Sequence, residues 1–386
     1  MRKTINKLFL IITVISALLL TTGCDLFIKT NKGQVDQKWY MGLTYEDDNG
    51  NDTDYTIGTD GTIAAVALED GYGDEFGIIK GEEAYLNINT IIKNIDKRFY
   101  VDATNNLVMF TDATKTYKTK IGGKTINETE NTDYVISFMD GKNCYVNVKF
   151  VKKYVDFDYK VVKAEGKSPA RIVLKYTSGE KNQMTVKSNI EMRTKADYQN
   201  LIVTTLKKNT KVTVLEESGD WTKVGTDDGF MGYVPAKKLK DKETKKTEFK
   251  SDADTYTHVL MNKKISLGWN AITNLTANGN LETIIEHTKG LNVISPTWYS
   301  LSDNKGNLRS YASATYVEKA HSKGLKVWAL VNDFGTQDKA SKEYTKKVLT
   351  DTTKRENLVD NIMTNIKDYN LDGINIDFEF INKDII

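Results

Sequence analysis

Asp372, Asn375, Asp377 and Glu379 fall within one short run, Asp372-Gly-Ile-Asn-Ile-Asp-Phe-Glu379, close to the end of this 386-residue sequence. Two carboxylates at alternate positions can do acid–base work. Burial and a like-charged neighbour raise a carboxyl pKa, and the group can then hold a proton for donation near neutral pH. In an extended strand, residues two apart share a face. Gly373, Asn375, Asp377 and Glu379 therefore point one way, and Ile374, Ile376, Phe378 and Phe380 the other. A polar row on an apolar strand is costly unless its face opens into a cavity. Asp372 has the opposite parity, which suits it to fixing the start of the strand.

The elements that must position this row are legible upstream. From 265 onward, strand-like and helix-like runs alternate. Residues 265–270, 291–299 and 325–331 are apolar and short. Residues 281–288, 311–323, 339–349 and 354–369 carry helical periodicity, and Gly324 supplies a helix stop. Buried strands alternating with helices mean parallel β/α units. Four such units match the pace of an eight-fold barrel, which takes roughly 250 residues. In such barrels the catalysts sit at the C-terminal ends of the strands, where Asp377 and Glu379 fall.

The row resembles the Asp-x-x-Asp-x-Asp-x-Glu signature of glycoside hydrolase family 18. Asp372, Asp377 and Glu379 match it, and Asn375 replaces the middle Asp. The Leu-Gly-Trp-Asn270 and Val-Trp-Ala-Leu-Val-Asn332 strands resemble the spore-cortex and cell-wall branch of that family, where Asn occurs at the middle position. The resemblance implies the first half of a (β/α)8 TIM barrel and hydrolysis of β-linked N-acetylhexosamine with help from the substrate. It gives Glu379 the general-acid role and Asp377 the task of orienting the acetamido group, with Asn375 and Asp372 completing the catalytic set. Family members place further groups on later strands, so the 386-residue chain is expected to be an incomplete barrel, silent as a glycosidase. Trp269, Trp298 and Tyr299 are candidate sugar-stacking residues; Trp328, mid-strand, reads as core. His258, His287 and His321 show no metal-ligand spacing, and no cofactor is expected.

Two kinds of module precede this segment. Residues 184–240 read as all-β and resemble a bacterial SH3-type domain, with Glu191-Met-Arg-Thr194 in place of the family's Asn-Val-Arg element. The resemblance implies binding to cell wall, while Trp221, Phe230 and Tyr233 could equally be core aromatics. Upstream, Tyr85–Asp96 aligns with Tyr145–Asp156 at an offset of 60, pairing Tyr85 with Tyr145, Asn87 with Asn147, and Asp96 with Asp156. Each copy reads as strand, short helix, strands. Residues 80–180 so resemble the domain named after the N-terminal part of copper amine oxidases, an α+β repeat. No histidine precedes His258, so copper does not follow from that name. Residues 24–79 read as a tether and the start of this domain. Residues 241–255 read as a charged, solvated linker, and the catalytic segment takes 256–386.

The N-terminus is basic at Arg2, Lys3 and Lys7, apolar from 8 to 20, and ends in Leu20-Thr-Thr-Gly-Cys24. This is the pattern of a secretory signal. The last five residues resemble a bacterial lipobox, which implies lipidation at Cys24, removal of residues 1–23 and anchoring to the outside of the cell membrane. The formal charge of +2 gives no case for nucleic acid; removal of residues 1–23 leaves 51 basic against 52 acidic residues. Cys144 is then the one remaining thiol, so stability must come from packed cores. The sequence thus reads as a multidomain protein: α+β repeat, SH3-like barrel, partial TIM barrel. Its expected partner is peptidoglycan or a chitin-like polysaccharide, with a lipid-mediated membrane contact. The second reading is a non-catalytic wall-binding lipoprotein that works through its SH3-like and repeat domains.

Overall fold

The computed structural model describes residues 30–250, 260–334, 339–381 and 383. Cys24, the signal segment and His258 lie outside them. The described residues form two compact units, one within 30–250 apart from 101–107, the other made of 101–107 and the residues from 260 on. Among the described residues, no helix is long and apolar enough to cross a membrane.

The first unit is built on two seven-stranded sheets. In one, the strands Glu83–Asn87 and Asn143–Asn147 lie side by side, antiparallel, with Leu86 opposite Val146. Each runs into a seven-residue helix, Ile88–Asn94 or Val148–Tyr154. The two copies of the repeat are therefore paired at matching positions. Asn87 and Asn147 explain the abrupt change from strand to helix. Each is fully buried and accepts the backbone N–H two residues on, at 2.9 Å. Such a cap stabilises a helix by about 1 kcal/mol. Their amide groups are satisfied as well, Asn87 donating to Glu75 at 3.2 Å and Asn147 to Glu83 at 3.0 Å.

The second sheet runs in the order Ile202–Leu206, Ile190–Arg193, Met231–Pro235, Trp221–Gly225, Lys211–Ser218, Gly179–Val186, Leu239–Thr247. Two expectations are corrected here. The stretch expected as a solvated linker begins inside a nine-residue strand, Leu239–Thr247, which pairs along Gly179–Val186. Alternation there is hidden by lysines, and the backbone ladder rather than apolar burial holds the strand. Residues 24–79, read as a tether and the start of the repeat domain, are structured within the tether part as well, from residue 30 on. The Val35 N–H donates to the Ile202 carbonyl, and Val35, Met41 and Leu43 enter one core with Ile78, Tyr85 and Tyr145 of the first sheet and Met192, Val224 and Val234 of the second. Phe230 belongs to this core, with the Arg171 guanidinium 4.2 Å from its ring centroid. Arg193 is 2% exposed and donates to the carbonyls of Asn31, Tyr198 and Asn200 and to Glu191.

The second unit holds a parallel sheet. Leu267–Asn270 pairs with Val293–Pro296, that strand with Lys326–Asn332, and Lys326–Asn332 with Gly373–Asp377, all parallel. The strand expected over 291–299 is broken. It resumes as Tyr299–Leu301 on the same edge of Lys326–Asn332 and turns back antiparallel as Leu308–Ser310, which the sequence reading missed. Helices Leu281–Glu286, Ala314–Ser322, Lys339–Leu349 and Thr352–Asp368 fall between the strands. Ala314–Ser322 is capped by Ser313, presents Tyr316, Val317 and Ala320 to the core, and stops at Gly324 with φ +76°. Ile294, Val327, Ala329, Val331 and Ile374 cover the other side of that core. The coarse α/β architecture is thus present; closure into a barrel is not part of what the four parallel strands display.

Candidate functional site

Parallel register decides which side chains share the face opposite the helices. Gly373, Asn375 and Asp377 stand beside Trp328, Leu330 and Asn332; Val293 stands beside Lys326, and Trp269 beside Ser295. The helix-covered face takes Ile294, Val327, Ala329, Val331 and Ile374. The open face therefore gathers Trp269, Ser295, Trp328, Asn332, Asn375 and Asp377, with Glu379 just past the strand end. Gly373 is dictated by this arrangement. A Cβ there would come within 2.9 Å of the Trp328 ring, which lies across it. Trp328, expected as core, is half-buried on the polar face.

Asn375 donates to the hydroxyl of buried Ser295 at 3.4 Å, so its amide turns across the sheet instead of toward Asp377. Asp377 is half-buried and Glu379 exposed, and neither carboxylate has a hydrogen bond or ion pair among the described residues. Asn332 is 6% exposed, and its side-chain oxygen is buried without a partner among the described residues. Beyond the strand, Asp333 accepts the backbone N–H of Glu379 at 2.9 Å and of Phe380 at 3.0 Å. Asn332, Asp333 and Ser295 were not singled out from the sequence. The signal was available: Asn332-Asp333 ends an apolar strand on the same side as the acid row.

Three candidate residues do not join the acid row, and for Asp372 the place found is the strand start that its parity suggested. Asp372 lies at the opposite end of the strand from Glu379. It accepts from His321 at 2.7 Å, Lys326 at 2.6 Å and the Val327 N–H at 2.9 Å, and so anchors the strand start rather than joining the acids. Burial raises its carboxyl pKa, but these donors outweigh that and hold it below the ordinary carboxylate value. Trp298 and Tyr299 are 0% and 1% exposed and belong to the helix-side core. The strand break at 297–298 turns them inward, and the Trp298 indole N–H donates to Asn278 at 2.8 Å. Trp269 is 69% exposed on the polar face.

A cavity of about 350 Å³ lies in the first unit, with Leu68, Val173, Leu215 and Met231 among its walls. Two of the lysines around it are paired, Lys181 with Glu69 at 2.8 Å and Lys175 with Asp227 at 2.9 Å. No cluster of potential metal ligands occurs among the described residues.

Residues 188–240 match the family model of the bacterial SH3 domain. They contain most of the second sheet, including the Arg193 hub. No curated protein matches the chain. Among solved structures, the C-terminal domain of a protein described as a chitinase from Desulfitobacterium hafniense DCB-2 is 26% identical, covers 31% of this chain and 34% of its own, and gives a TM-score of 0.26. A chitinase from Bacteroides thetaiotaomicron is 19% identical over 31% of this chain and 37% of its own, with a TM-score of 0.26. A class V enzyme of the same kind from Pseudomonas fluorescens Pf-5 is 22% identical over 30% and 35%, with a TM-score of 0.25. The chain spans about a third of the length of these solved chains.

Proposed function

We propose that the protein is a lipid-anchored, extracytoplasmic glycoside hydrolase of the family 18 type, acting on β-linked N-acetylhexosamine polymers of the cell wall. The observation that supports this reading is the pair Asp377 and Glu379, which have no side-chain partner among the described residues and stand at and just past the C-terminal end of a parallel strand, beside Asn332 and on the side of the sheet that carries Trp269. In the proposed reaction Glu379 gives its proton to the glycosidic oxygen as the bond to the anomeric carbon breaks. The substrate's own acetamido oxygen forms the new bond to that carbon. Asp377 orients the acetamido N–H and offsets the growing positive charge. Water then opens the cyclic intermediate and returns a proton to Glu379, which balances the step. Asn375, tied to Ser295, fixes the floor beside Asp377. The SH3-type domain holds the enzyme on peptidoglycan, and Cys24 carries the lipid.

The second reading is a non-catalytic wall binder, which the bacterial SH3 match at 188–240 favours. One assay separates the two. Reducing ends released from chitin oligomers and peptidoglycan are measured for the 386-residue chain and for Glu379→Gln, alongside co-sedimentation with purified walls. The hydrolase reading requires turnover that falls about 100-fold or more in Glu379→Gln. Equal turnover in the two proteins sinks it. Wall binding with no turnover in either supports the binder.

A further inference from the structure

We propose that Asp333 is the positioning residue of Glu379: its carboxylate takes over the sheet ladder where the acid strand runs out and fixes the backbone that carries the acid. This rests on the reading of Glu379 as the acid. Regular pairing between the last two strands ends at Asn332 opposite Asp377. Just past that point the backbone N–H groups of Glu379 and Phe380 turn to a side chain, and backbone donors need acceptors. Asp333 follows Asn332 directly in sequence. Its Oδ1 accepts from Glu379 at 2.9 Å, and its Oδ2 accepts from Phe380 at 3.0 Å and from the Thr345 hydroxyl at 2.9 Å. Asp333 and Thr345 are both 0% exposed.

The geometry has a consequence for Glu379. Consecutive N–H groups of an extended strand point to opposite sides. Two of them reach one carboxylate only if the chain bends out of the strand, and regular strand does end at Asp377. Asp333 therefore sets the bend at which Glu379 leaves the sheet. The residue type matters. An ionised carboxylate offers two oxygens, both acceptors, whereas an Asn in the same place would aim its amide donors at one of the two N–H groups. Hydrogen bonds to a charged acceptor are also the stronger kind. The Thr345 hydroxyl holds the carboxylate from the adjoining helix and so orients the clamp.

The test needs no turnover, and so its failure is distinct from failure of the hydrolase reading. In the full chain, through-hydrogen-bond couplings are measured between the amide nitrogens of Glu379 and Phe380 and the side-chain carboxyl carbon of Asp333. Both couplings are expected; absence of both overturns the proposal, whatever any variant does. Backbone order is then compared between wild type and Asp333→Asn. Order at Glu379 and Phe380 is expected to drop from about 0.85 toward 0.6 or below, with Asn375 and Ile376 unchanged. Unchanged order at 379–380, or an equal loss along the whole strand, would make Asp333 a general structural residue and overturn the positioning role.

Discussion

Asn87 and Asn147 in the first unit, and Asn332 and Asp377 in the second, are polar side chains set among apolar strands, yet only the first pair is saturated. Each of Asn87 and Asn147 accepts a helix N–H and donates to a glutamate. Asn332 keeps a buried oxygen without a partner, and Asp377 has none either among the described residues. The two helix caps have their bonds closed internally, whereas the pair at the strand end does not. Open groups also occur elsewhere, at Ser137 and Tyr299 among the described residues, so the proposed role of the strand end rests on Asn332 and Asp377 standing side by side.

The contrast breaks down first if the SH3-type stretch is independent of its surroundings. Its sheet needs Gly179–Val186, which lies between Lys211–Ser218 and Leu239–Thr247, and its core is shared with Ile78, Tyr85 and Tyr145. A fragment of residues 184–240, expected from the sequence to bind walls alone, should show no cooperative urea transition, while residues 30–250 should show one. A fragment with the midpoint of the longer piece would contradict the shared core.

A smaller effect sharpens the comparison directly. Asn147→Ala should destabilise the chain by about 2 kcal/mol, since a cap is lost and Glu83 loses a donor. Asp377→Ala should change stability by no more than about 0.5 kcal/mol, because no internal bond is removed. Denaturant titrations of both variants decide it, and a larger loss for Asp377→Ala would reverse the assignment of roles.

Asp372 gives the smallest effect. Its folded pKa lies below its unfolded one, about 3.9 for a free aspartate. Such a group contributes stability above the unfolded value and loses it as pH falls through the folded pKa. The gap in melting temperature between wild type and Asp372→Asn should therefore shrink as pH drops from 6 to 3. A gap independent of pH would remove the ion-pair role.

Much of this was legible from residue patterns. The offset of 60 identified the paired strands and helices because Asn at the strand end is a local, sequence-encoded cap. The parity of Asn375, Asp377 and Ile374 followed from strand geometry and agrees with the register. What escaped depended on contacts distant in sequence. Pro296 was a local signal of the strand break before Trp298, but nothing local showed that Trp298 and Tyr299 would turn into the helix-side core. The lysine-rich strand Leu239–Thr247 is held by its neighbour's backbone. Asp333 acquires its role from amides 46 and 47 residues away.

The central claim is that the open polar row receives an N-acetylhexosamine chain. Titrating an N-acetylglucosamine tetramer into the isotope-labelled full chain, and following backbone amide shifts, tests it most directly. The account predicts saturable shifts at Asn332, Asp377 and Glu379 that disappear in Asp377→Ala. Shifts confined to residues 188–240, or none at all, would contradict it.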